Sequence, residues 1–356
     1  MPTPSRDAAV PSPAPAVPRP EPAPAGRPVA LLFPGQGAQH GRMAAGLYDH
    51  CPVFTATMDR AFALLGRDGD LLRAEWLSDE EHHLFDDVSR AQPLLYAVDY
   101  ALGRMVLEWG VAPVALLGHS VGEMAAATLA GVIDFADGML MMRDRIAAFS
   151  GGPPGGMLAV AAPAADLAPY LSGQVVVGAV NAPWQTLLAG PAAGLEAART
   201  ALRADGITCR PARARQAFHS PMLAAAARAT ARAWAAIPLR APELTVYSAR
   251  LGGVLGAGDA RSPGFWAAQP AEPVLFWPAL DRLLGDHDVL LVEAGPGQGL
   301  SALARRHPAV SAKRSAVAPL LPARPRGAAA DRAAVARAAD LIRAEGHLPD
   351  PLVARS

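Results

Sequence analysis

Two cysteines, Cys51 and Cys209, occur in 356 residues, which excludes a disulfide framework and leaves too few thiolates for a structural zinc site. A reducing cytoplasm is the simplest home for such a chain. Charge is also scarce, at 18% with a formal net charge of zero; phosphate-driven nucleic-acid binding needs a basic excess, so no nucleic-acid partner is expected. The N-terminus carries no apolar core of signal-peptide length, and every later apolar run is broken by Gly, Pro or charge before it could span a bilayer. No membrane association is expected. What is abundant is hydrophobic residues, 51% of the chain, enough for a large core in two packed domains or in one domain with an insert.

Residues 1–28 hold ten of the 35 prolines and read as a disordered tail. Folded structure is expected from Val29-Ala30-Leu31-Leu32-Phe33, a buried strand ended by Pro34-Gly35. Ala91 to Val106 has helical periodicity, Ala112 to Leu117 reads as a strand, and Val121 to Ala130 as a helix closed by Gly131. Between residues 155 and 217 the pattern changes to strand, helix, two strands, helix, strand, the order of a ferredoxin-like unit. The expectation is an α/β fold. A large α/β-hydrolase-like domain with a parallel sheet (29–154 and 218–322) brackets the small one, and a helical C-terminal extension occupies 323–356.

Gly118-His119-Ser120-Val121-Gly122-Glu123 sits between a predicted strand and a predicted helix. A turn there is tight enough to need both glycines, and it pushes the serine hydroxyl into a cleft. The helix that follows sets the Val121 amide and a positive dipole end beside any oxyanion. Another glycine-rich loop, Phe33-Pro34-Gly35-Gln36-Gly37-Ala38-Gln39, follows the first strand but lacks the Lys-Ser/Thr ending of a phosphate-binding loop. His119 precedes the serine on the turn and is expected to point away from it, packing or positioning.

Together with Gln92-Pro93, Gln216-Ala217-Phe218-His219-Ser220 and Gly295-Pro296-Gly297, these motifs resemble the malonyl-CoA:acyl carrier protein transacylases and the acyltransferase domains of polyketide synthases, over roughly residues 29–322. The resemblance implies a discrete, trans-acting acyltransferase of polyketide or fatty acid biosynthesis, a monomer with no permanently bound cofactor. It would take a malonyl-type group from acyl-CoA and pass it to the phosphopantetheine of an acyl carrier protein. By the same carry-over Ser120 is the nucleophile, His219 its base, the amides of Gln36 and Val121 the oxyanion hole, and Gln92 a support. The backbone carbonyl of Gln269 would orient His219. A serine attacks a thioester only if an imidazole takes its proton, and such a base is worth about a hundredfold to ten-thousandfold.

Family members that use malonyl groups pair an arginine with the free carboxylate. Arg143 in Arg143-Asp144-Arg145-Ile146 matches that segment, yet the stretch before it is two residues short, which turns a helix by about 200 degrees; Arg145 could replace it. Phe218 would fill the space of an α-methyl group, as in malonyl-using relatives. An acidic carrier would be steered by basic stretches without acids, with Arg210, Arg213 and Arg215 in one and Arg305, Arg306, Lys313 and Arg314 in the other. Transfer of an aminoacyl or peptidyl group, a proofreading acyl hydrolase, and a non-catalytic binding protein are the competing readings.

Overall fold

The computed structural model describes residues 26–80, 85, 87–150, 154–212, 214 and 216–348. Ten strands form two sheets: β1 Val29–Phe33, β2 Ala115–Gly118, β3 Gly156–Val160, β4 Val176–Ala182, β5 Gln185–Gly190, β6 Cys209–Pro211, β7 Val246–Ser248, β8 Gly253–Val254, β9 Leu290–Glu293 and β10 Ala316–Pro319.

The larger sheet runs in the order β10-β9-β1-β2-β7-β8. Its pairs are parallel except for the edge strand β8, which returns antiparallel on β7. β1 is apolar at every position and wholly buried, as a strand covered by helices on both faces must be. Alternate side chains feed separate cores: Val29, Leu31 and Phe33 join one cluster with Leu116 and Val292, and Ala30 and Leu32 join the other with Leu117 and Leu291. In such sheets the loops after the carboxyl ends of the strands form the working crevice. Here those ends lead into Pro34–Gln39, His119-Ser120 and Gly295–Gly297.

The smaller sheet has the order β4-β5-β3-β6 and is antiparallel throughout. Numbered within the unit, that order is 4-1-3-2 when read from β6, the ferredoxin-like arrangement expected from the sequence. Its core is Leu158, Val160, Leu167, Leu188, Leu195 and Leu202. The expected helix at Asp166 is a 3-10 stretch, Ala164–Tyr170, because Pro169 removes a donor that an α-helix would need.

β4 also touches the large domain. Val180 N–H donates to the Val274 carbonyl at 2.8 Å, and Val274 N–H to the Gly178 carbonyl at 2.9 Å. At the far end the helix Ala328–Ala344 packs on Ala45–Leu47, where Asp331 accepts from the Gly46 amide at 3.1 Å. Glu345 accepts from the Arg27 backbone amide and its guanidinium, which ties Arg27 to the end of that helix. Most of the proline-rich stretch lies outside the described residues. No helix among the described residues is long and apolar enough to cross a membrane.

Candidate active site

The turn that carries Ser120 is built by close approach. A Cβ on Gly118 would fall 2.2 Å from the Gly122 backbone, and one on Gly122 would fall 2.2 Å from the Phe33 carbonyl. Ser120 itself is held at φ 55 and ψ −117, a left-handed backbone that a side chain tolerates only when its surroundings enforce it. Its carbonyl accepts from the Glu123 amide at 2.9 Å and from Gln269 Nε2 at 2.7 Å. Val121 opens the helix Val121–Leu129, so its amide has no intrahelical acceptor.

His219 also has positive φ, 61°, with its amide donating to the Pro270 carbonyl at 2.7 Å. This orientation brings Nε2 to 2.8 Å from Ser120 Oγ. Nδ1 lies 2.8 Å from the Glu272 carbonyl. A carbonyl can only accept, so Nδ1 carries the proton and Nε2 is left to accept from the serine hydroxyl. Burial pushes His219 down to about 4; the Glu272 carbonyl opposes that, and the charges of His119 and Arg145 add to it. At neutral pH the ring is therefore an uncharged base.

The orienting acceptor differs from the expected one. Gln269 opens a 3-10 turn, Gln269–Ala271, and its carbonyl closes that turn by accepting from the Glu272 amide. Glu272, on extended backbone, aims its own carbonyl at the imidazole, and the Gln269 carbonyl acts on the ring only weakly. The Gln269 side chain serves the serine instead.

Arg143 is likewise displaced from its expected place. Its side chain is half-exposed, pairs with Asp144 at 3.0 Å, and lines a surface cleft with Asp68 and Arg90. Two residues on, a turn of about 200 degrees, Arg145 faces inward and is 2% exposed. It packs against Met124, one turn beyond Ser120, and 5.6 Å over the Phe149 ring. Its Nε is buried without a partner, and no acidic group among the described residues pairs with it. Burial lowers its pKa to about 10, which leaves the cation intact at neutral pH. Phe149 meets Phe218 edge-on at 5.5 Å, connecting Arg145 to the wall of the serine pocket.

That pocket, about 90 Å³, is lined by Ser120, His219, Gln36, Phe218 and, from the small domain, Met157 and Leu187. It adjoins a larger space of about 470 Å³ that shares Gln36, Gly37, His119 and Leu187 and reaches Asn181 and Arg306. Gln92 is buried and donates to Gln36 Oε1 at 3.3 Å, while Gln92 Oε1 and Gln36 Nε2 have no partner. His119 turns from the serine only in part: it lies 5.7 Å from the Phe276 ring, yet lines both spaces, with Nε2 2.9 Å from Asn181 Oδ1.

Several supporting residues have a role that the motifs do not assign. Asn181 is one. Another is the buried acid of the elbow, Glu123, pushed up to about 7 by burial and held by Ser248 Oγ. Glu293 accepts from the amides of Leu300 and Ser301 at 3.0 and 2.7 Å. Burial and the neighbouring Glu293 hold Asp99 well above the usual carboxylate range, against the Pro34 and Gly295 loops. Of the basic residues expected to steer a partner, Arg210, Arg305, Arg306, Lys313 and Arg314 are exposed, and Arg314 pairs with Asp288. Arg213 and Arg215 lie outside the described residues. No cluster of three metal-ligating side chains occurs among the described residues.

Residues 30–345 match the family described as acyl transferase domain. The chain is 38% identical over 285 residues to a phenolphthiocerol/phthiocerol polyketide synthase of Mycobacterium tuberculosis, covering 79% of this chain and 19% of that one. It is 34% identical over 337 residues to polyketide synthase GfsA of Streptomyces halstedii, covering 90% and 4%. The chain thus spans a fifth or less of the length of these curated relatives. Among solved structures it is similar to the acyl transferase domain of SpnD in complex with 2-(pent-4-yn-1-yl)malonyl, with TM-score 0.83, 30% identity, and 94% and 81% of the two chains covered. The malonyl CoA-acyl carrier protein transacylase of Coxiella burnetii shares the fold, with TM-score 0.76 at 24% identity over 88% and 98%.

Proposed function

The chain belongs to the acyl transferase domain family, and from that premise we propose that it moves a malonyl-type group from coenzyme A to the phosphopantetheine thiol of an acyl carrier protein through an ester on Ser120. His219 Nε2 takes the hydroxyl proton as Oγ adds to the thioester carbonyl. The same proton goes to the coenzyme A thiolate as the C–S bond breaks. The carrier thiol then retraces these steps, so His219 ends as it began. The amides of Val121 and Gln36 are the proposed donors to the oxyanion, each worth about a hundredfold to a thousandfold in rate.

The malonyl assignment is carried by Arg145, a buried guanidinium beside the dyad that has no anion of its own. An uncompensated buried charge is costly, and a free carboxylate on the acyl group supplies the missing partner in a two-pronged pair. Phe218, packed on Phe149, narrows the pocket against α-substituents, a preference worth about 1 to 3 kcal/mol. The exposed Arg305, Arg306 and Lys313 suit both an acidic carrier and the phosphates of coenzyme A.

Intact-mass measurement after mixing with malonyl-CoA, with and without carrier protein, tests the proposal. A malonyl adduct that is lost from Ser120→Ala and moves to the carrier is expected. Release of free malonate would assign a hydrolase, and an adduct formed only from an aminoacyl or peptidyl carrier would assign a different transfer. No adduct from any thioester would leave a binding protein.

A further inference from the structure

Trp184 is the most exposed large apolar side chain among the described residues, at 69%. It stands at the two-residue turn, Pro183-Trp184, between β4 and β5, where Ala182 pairs with Gln185. Proline fixes the backbone before it, and the pairing holds the turn as a rigid hairpin tip. An indole left in water there gains nothing for the fold.

Its neighbours on the hairpin belong to the site. Asn181, three residues back near the end of β4, holds His119. Gln185, the next residue, lines the outer cavity. Across that cavity Gln185 Oε1 accepts from Arg306 at 3.5 Å. Arg306 is exposed and has no acidic partner among the described residues. Ala323 lines the same mouth and is followed by the exposed Arg324. From Ala294 to Ala330 the chain has no Asp or Glu.

We infer that Trp184 and Arg306 form a nucleotide-binding rim, with the indole stacked on the adenine and the guanidinium on the phosphates of acyl-coenzyme A. This rests on the reading of the chain as an acyl-CoA-dependent transferase. One planar apolar face, next in sequence to the Gln185 on which Arg306 bonds, with no acid in the 294–330 arm of the mouth, matches a purine attached to phosphates. A carrier protein presents acidic side chains and a phosphodiester but no base, so a lone indole offers it little. The rim thus distinguishes donor from acceptor: both thread a phosphopantetheine arm past His119, and only the donor ends in a base.

Calorimetric titration of unacylated coenzyme A, pantetheine 4′-phosphate and holo-carrier protein into the full chain, Trp184→Ala, Trp184→Phe and Arg306→Ala tests the inference. Trp184→Ala is expected to weaken coenzyme A about fivefold, the lower range of base–aromatic stacking, with Trp184→Phe restoring most of it. Pantetheine 4′-phosphate and carrier affinities should not move. Arg306→Ala should weaken coenzyme A and flatten its salt dependence. In steady state the indole substitution should raise KM for acyl-CoA and leave kcat unchanged. Unchanged coenzyme A affinity in Trp184→Ala overturns the inference. So does an equal loss for pantetheine 4′-phosphate, which would place the effect in the channel, or a loss confined to the carrier, which would make the tip a protein-docking element. If the unaltered chain binds no coenzyme A at all, the acyl-CoA reading itself fails.

Discussion

Replacing Arg145 by methionine separates what that residue does for the substrate from what it does for the fold. In the free protein the guanidinium is buried, charged and without an anion; its contacts are the Met124 sulfur and the face of Phe149. With a malonyl group in place it would make charge-assisted bonds to the free carboxylate. Loss of one partner of such a buried pair costs about 2 to 5 kcal/mol, roughly thirtyfold to several thousandfold in kcat/KM. Acetyl groups have no carboxylate to lose, and their loading should hold or improve. The same change removes an uncompensated buried charge in favour of an apolar side chain of similar length. The free protein should therefore keep its stability or gain one or two kcal/mol, about 1 to 4 °C in Tm. Rapid-quench intact mass with malonyl-CoA and acetyl-CoA gives the first quantity, and scanning calorimetry without ligand gives the second. Unchanged malonyl loading in Arg145→Met, together with a clear loss in Arg143→Met, would refute the reasoning and return the carboxylate to the exposed arginine. A large fall in Tm would show that Arg145 is a structural residue.

Two further outcomes follow from the dyad. Because burial lowers His219 from 6.5 to about 4, acylation by the free enzyme should stay level from pH 8 to about 5 and fall only near 4, whereas an acid limb near 6.5 would contradict a desolvated base. The linked contribution of His219 has a definite sign: between 6.5 and 4 the unfolded chain binds a proton that the folded chain excludes, so this contribution is full above 6.5 and declines as pH falls through that window; the stability difference between the chain and His219→Gln should follow that slope, while the opposite slope of the buried Glu123 is common to both. Gln269→Ala deletes the donor to the Ser120 carbonyl while leaving Glu272 on the imidazole. A loss of about fivefold in single-turnover acylation, the worth of one neutral hydrogen bond, is expected without change in substrate Kd; a loss confined to binding would contradict it.

The alternation of apolar runs and the two glycine turns made the parallel sheet, the inserted unit and the serine elbow legible in the sequence, because each rests on spacing that sterics enforce. Arg143 and Arg145 show where spacing stops helping. Positions 143 and 145 lie about 200 degrees apart on a helix, and only the packed helix shows which arginine ended inside. The acceptor on His219 was harder still. Any residue supplies a carbonyl, so nothing in the letters distinguishes Gln269 from Glu272; the 3-10 turn between them decides which oxygen is free. Asn181 and Trp184 depend on how a hairpin in one domain meets a loop in the other, a relation that local pattern does not contain.

The two hydrogen bonds between β4 and Val274 bear on how such a protein can be recombined. The segment they anchor includes Glu272, two residues earlier, whose carbonyl sets the histidine. A chimera that exchanges the inserted unit for a relative's, cut at its sequence boundaries near 155 and 217, would replace the strand against which that segment is registered. Catalysis could then suffer although Ser120, His219 and Glu272 all stayed native. A graft that carries the 269–275 segment along with the unit would preserve the registration, so the unit of exchange is discontinuous in sequence.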